Sequence, residues 1–172
     1  VVGTQVVFIA NGSTSTELWA TGGTVISTRR VYAFAPGTAV THMVGANDVV
    51  HYVTNAGGFS QQMWRSDLSP AGTAPLPDDG SGVGGVRPKV ALSNGRVLGI
   101  GYDPEHGTEL WEVFPAPPYG RLIHDIFPGE PSSMPTAFHE LGGSLVLFAD
   151  NGTSGTEPHV LATDGLLRDG FE

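Results

Sequence analysis

One signature recurs along this chain at intervals of about 45 residues, and that period limits the possible folds more than any single motif. Trp19, Trp64 and Trp111 stand 45 and 47 residues apart, and His159 follows 48 residues later. Each sits in the same kind of segment: an apolar run, a polar Gly-rich turn, then a second apolar run. The four copies span residues 6–24, 50–67, 96–114 and 145–165. A linked motif lies between them, clearest at residues 121–143 and weaker at 31–48 and 72–95. A fixed period of this length marks one supersecondary unit used several times, since a lone unit cannot bury its own hydrophobic face.

The apolar runs are roughly 4–7 residues of Val, Ile, Leu, Phe or Tyr bounded by Gly, Asn, Asp or Pro, which is how strands and their turns read. No window keeps helical apolar spacing over about 11 residues. The 25 glycines and 13 prolines supply the turns. The chain is therefore expected to be all-β. Four short strands in about 45 residues predict a β-propeller of about four small four-stranded blades. In this reading residues 1–172 form a single repeat domain, with blade-like units at approximately 1–40, 41–80, 81–129 and 130–172. The ring closes either within the chain or as part of a larger assembly. A β-sandwich is the alternative, but it would not need internal repetition. The chain opens inside a blade and does not begin with Met, so it reads as processed, trimmed or cut from something larger.

The copies carry specific matches. Glu17-Leu18-Trp19 is followed by Thr21 and Gly23-Thr24, and Gly107 precedes Glu109-Leu110-Trp111. Asp125-Ile126-Phe127-Pro128-Gly129 leads to Ser132-Ser133-Met134-Pro135. Phe148-Ala149-Asp150-Asn151-Gly152 leads to Gly155-Thr156-Glu157. This pattern resembles the bacterial ELWxxDGT repeat family, found in secreted proteins of the myxobacterial type. Copy two departs from it at Gln62 and Met63, and copy three at Glu112-Val113. The resemblance implies propeller-like repeats and a secreted or cell-surface location. It also implies surface, adhesive or lectin-like roles.

Charge and composition exclude several classes. Seventeen acids against eight bases give a formal charge of −9, and Lys89 is the one lysine. Nucleic acid is not an expected partner, because phosphate backbones are bound by clustered Lys and Arg. Cysteine is absent, which removes disulfides and thiolate chemistry. No apolar run approaches the ~20 residues of a membrane span.

The recurrent positions define the candidate residues. Trp19, Trp64 and Trp111 read as wedges between adjacent sheets, with a sugar-binding aromatic platform as the alternative. Glu17, Glu109 and Glu157 read as acids that accept N–H bonds and tie turns. The alternative is a calcium site at Asp150, Asn151 and Glu157, where hard oxygen ligands gather in one loop. His51, His124 and His159 are candidate ligand-binding residues for the mouth of a propeller channel. No zinc spacing, nucleophile elbow or phosphate loop accompanies them. The glycine run 82–85 lacks the Lys and the strand–helix context of a phosphate loop, and the further acidic turns, Asp78-Asp79 and Asp103 with Glu105, do not repeat the 150–157 loop well. The functional expectation is a non-enzymatic binding or scaffold module for protein, with its own copies or other chains among the partners. Lectin-like glycan binding and a small hydrolase or lyase at the channel mouth are the alternatives.

Overall fold

The computed structural model describes residues 1–56, 61–77 and 85–163. Asp78-Asp79, residues 82–84 and the tail 164–172 lie outside the described residues. The strands fall into four antiparallel meanders that follow chain order. The first holds β1 (Val6–Asn11), β2 (Thr16–Thr21) and β3 (Arg29–Ala33). The second holds β4 (Thr38–Ala46), β5 (Val49–Ala56), β6 (Gln61–Ser66) and β7 (Ala74–Pro75). The third holds β8 (Arg87–Ala91), β9 (Val97–Asp103), β10 (Gly107–Val113) and β11 (Gly120–His124). The last holds β12 (Thr136–Leu141), β13 (Ser144–Asp150) and β14 (Thr156–Ala162).

Local chemistry explains the hairpins. Ala46 pairs with Val49, leaving Asn47-Asp48 as a two-residue turn with φ of 49° and 59°. Leu141 pairs with Ser144 around Gly142-Gly143, with φ of 58° and 78°. Both are left-handed pairs that suit the twist of a hairpin, and Asn, Asp and Gly are the residues that adopt them.

Period-2 alternation gives each sheet two faces. The front face carries the recurrent Trp position, and the back face carries the residues between. That position is paired across its hairpin as Trp19 with Phe8, Trp64 with Tyr52, Trp111 with Gly99 and His159 with Leu147. The buried clusters show which face meets which. Val50, Tyr52 and Trp64 on the front of the second sheet pack with Leu18, Ala20 and Ile9 on the back of the first. Val97, Trp111 and Val113 on the front of the third pack with Val53, Met63 and Val44 on the back of the second. Leu145, Leu147 and Leu161 on the front of the fourth pack with Leu98 and Leu110 on the back of the third. One front-on-back interface is thus built three times.

This arrangement corrects the expected propeller. The four sheets are separate, and among the described residues no hydrophobic cluster joins the first to the fourth. The first and last sheets have three strands each, and neither is curled against the other as blades of a closed ring. Apolar side chains that closure would cover stay in solvent: Val6 is 51% exposed, Phe148 42% and Val160 66%. Among the described residues, this open arrangement encloses no central channel.

Candidate functional site

The three tryptophans occupy one strand position but meet three different environments. Trp111 is 4% exposed and lies between the second and third sheets. A Cβ on Gly101 would fall 2.8 Å from its Cγ, so this ring needs a glycine on the neighbouring strand. Trp64 packs against Tyr32, Phe34 and Tyr52 at centroid distances of 5.5, 5.6 and 6.2 Å. The indole N–H groups of both Trp64 and Trp111 are buried without a partner. Among the described residues, no sheet packs in front of Trp19. It stacks on Phe8 at 6.5 Å and donates its indole N–H to Glu17 Oε2 at 3.0 Å.

The recurrent acid position behaves in parallel. Glu109 is fully buried. Its Oε1 accepts the Ser133 N–H at 2.8 Å, and its Oε2 accepts the Ile126 N–H at 2.9 Å and the Ser133 hydroxyl at 2.5 Å. These donors lie in the segment that crosses from the third sheet to the fourth, not in the hairpin of Glu109 itself. Asp125 Oδ2 shapes the same segment by accepting the Gly129 N–H at 3.0 Å. Burial pushes the Glu109 carboxyl above its ordinary range, and the donors from Ser133 and Ile126 oppose that rise. Gln62 holds the corresponding position in the second sheet and donates to the Leu76 carbonyl at 2.9 Å, again gripping the outgoing segment. Glu17 grips no such segment. It accepts from Arg30 at 2.8 Å and from Trp19, and these two bonds hold its carboxyl below the usual range.

The histidines proposed as ligands do not converge. His51 lies on the back face of the second sheet, 2% exposed, with both ring nitrogens unpartnered. Burial, helped by the charge of Arg65, lowers it to about 4. His124 ends β11 at the contact with the fourth sheet; burial first and then the nearby His159 lower it. The His159 ring nitrogen Nε2 lies 3.3 Å from the Ala149 carbonyl oxygen. The structure brings His124 and His159 near each other and leaves His51 apart.

The residues proposed for calcium serve their own turn. Asp150 Oδ1 accepts the Gly152 N–H at 2.8 Å, and Asn151 Oδ1 accepts N–H bonds from Thr153 and Ser154, each at 2.9 Å. Glu157 lies opposite Ala149 in β14. No group of three or more His, Cys, Asp or Glu that could hold a metal ion occurs among the described residues. No helix among them is long and apolar enough to cross a membrane.

Sequence reading missed one polar cluster. Glu112 is 2% exposed and takes a two-pronged pair from Arg96, at 2.5 and 2.7 Å, together with Arg121 at 3.0 Å. Arg96 also reaches the Thr163 carbonyl at 3.3 Å, which links the third sheet to the fourth. The signal available was the departure of Glu112-Val113 from the repeat pattern. Shallow clefts among the described residues open to solvent. One, of about 530 Å³, lies between the β1–β2 turn and Pro36–Ala39. Another, of about 450 Å³, lies along Phe114–Pro118 beside Arg121.

No family model matches this chain, and no curated protein does. The assignment to the ELWxxDGT repeat family is thereby overturned, and the lectin-like character it implied goes with it. Burial gives the physical reason for the second correction. Trp111 and Trp64 are occupied by neighbouring sheets, so the tryptophans do not form equivalent exposed sugar platforms. Among solved structures, the chain is similar in fold to the crystal structure of TolB from Acinetobacter baumannii. The TM-score is 0.60 at 10% identity, over 94% of this chain and 39% of that one. The chain thus spans well under half the length of that structure.

Proposed function

We propose that this chain is a non-enzymatic scaffold module that binds protein through the two end faces of its stacked sheets. One observation carries the reading. The front-on-back interface is built three times inside the chain, yet apolar side chains on the front of the first sheet (Val6, Phe8, Trp19) and on the back of the fourth (Val146, Phe148, Val160) have no covering sheet among the described residues. Interior-type surface left in solvent is characteristic of contact surfaces. A secreted or cell-surface location belongs to the same proposal and is compatible with the charge of −9.

Photo-crosslinking from the two faces tests this. Benzoylphenylalanine placed at position 19 or 148, in cells that produce the chain, should give discrete protein adducts, and placed at the exposed turn residue Ser13 it should give none. Adducts equally frequent from all three positions, or absent from 19 and 148, would contradict the reading.

A further inference from the structure

We propose that the occupant of these end faces is a second copy of the same chain, docked head to tail, with the back of its fourth sheet against the front of the first. This rests on reading the end faces as protein-contact surfaces, and it names the partner.

The argument is one of register. In each internal interface the Trp position and its cross-strand neighbour face the back of the preceding sheet. In the first sheet that pair is Trp19 with Phe8, flanked by Val6, and no described sheet packs against it. The residues that receive such a front face are the alternate positions of the central hairpin, as with Val53 and Met63 in the second sheet. In the fourth sheet the alternate positions are Val146 paired with Val160 and Phe148 paired with Pro158. Phe148 and Val160 are 42% and 66% exposed. One copy therefore displays both halves of an interface that it already builds three times internally.

Charge does not forbid the contact. Within the two strands that carry Trp19 and Phe8, Glu17 is the one charged residue, and it is paired with Arg30. The net charge of −9 opposes the approach of two copies, so added salt should strengthen association rather than weaken it. The two faces differ from each other, so the contact is heterologous: each added copy leaves one front and one back face open.

Sedimentation velocity on the full chain tests this, from about 1 µM to about 500 µM, where weak protein contacts become populated. The wild-type weight-average mass should rise roughly twofold or more over that range. Trp19→Glu, which breaks the front, and Phe148→Asp, which breaks the back, should each stay monomeric alone. An equimolar mixture of the two should form a 1:1 dimer and nothing larger, because each variant keeps the one face the other lacks. Val6→Lys and Val160→Lys alter more exposed positions of the same faces and serve as a second pair if the first pair is misfolded by circular dichroism.

Monomeric wild type throughout would overturn the second-copy proposal, as would association that a single-face variant retains or that mixing does not restore. The contact-face reading is judged separately by crosslinking. Adducts to a different protein from position 19 or 148, with monomeric chain in solution, would keep that reading and discard this one.

Discussion

Glu17-Leu18-Trp19 and Glu109-Leu110-Trp111 are the same three residues at the same strand position, yet they do different things. In the third sheet the Trp lies between two sheets and the Glu is fully buried, holding three donors of the outgoing segment. In the first sheet the Trp rests on Phe8 and the Glu holds the indole N–H and Arg30. The difference comes from the neighbours. Where a sheet lies in front and a crossing segment lies behind, the motif becomes core. Where no described sheet lies in front and the crossing segment does not bond the acid, Glu and Trp satisfy each other. The motif is therefore a sheet-stacking device, and its copy at Trp19 is the one on which no described sheet is stacked.

The largest break in this comparison should come from the rings. Trp111→Ala removes a fully enclosed aromatic and should cost about 4–5 kcal/mol in urea unfolding. Trp19→Ala should cost less, about 1–2 kcal/mol, because the ring is only partly buried and no described sheet packs on its outer face. Near-equal losses would mean that the two rings are equally covered.

The acids should separate next. Glu109→Ala strands two backbone N–H groups and a hydroxyl in the interior and should cost about 3–4 kcal/mol. Glu109→Gln keeps one acceptor oxygen and should lose less. Glu17→Ala should shift the unfolding midpoint too little to resolve, since its partners turn to water.

Acid should find the covered faces through His51. Its pKa is lowered to about 4 in the folded chain, so the unfolded chain binds the extra proton first as pH falls below the ordinary His value. Stability is full above pH ~6.5 and is lost as pH falls toward 4, by up to about 3 kcal/mol. Urea unfolding at pH 7 and pH 4 reads this, and His51→Leu should flatten that part of the profile.

The smallest effect sharpens the account at the back of the fourth sheet. Ala137 sits at φ 52° where β12 slips register against β13. Ala137→Gly should add about 1 kcal/mol, because an L side chain is strained there. A loss on this substitution would place the bulge in a different conformation.

Much of the architecture was legible in the residues. The short runs around Phe8, Tyr52, Leu98 and Phe148 are strands, and Asn47-Asp48 and Gly142-Gly143 announce tight hairpins. The recurrence of Trp19, Trp64 and Trp111 reports equivalent positions in equivalent sheets. Closure was not legible. Repetition says that sheets are alike, but nothing in Val6 or Val160 says whether the first meets the last. The environment of Glu109 was hidden for a related reason, since its partner Ser133 lies 24 residues away across a change of sheet. Glu112 read as a lapse from the pattern until Arg96 and Arg121 were seen to converge on it.

The central claim is that one motif is covered in the third sheet and uncovered in the first. Acrylamide quenching of single-tryptophan variants in dilute solution tests it most directly, with Phe replacing the other two rings. Trp19 alone should emit at longer wavelength and quench readily, while Trp111 alone should emit at shorter wavelength and resist quenching. Equal protection of the two rings in the dilute monomer would contradict the account.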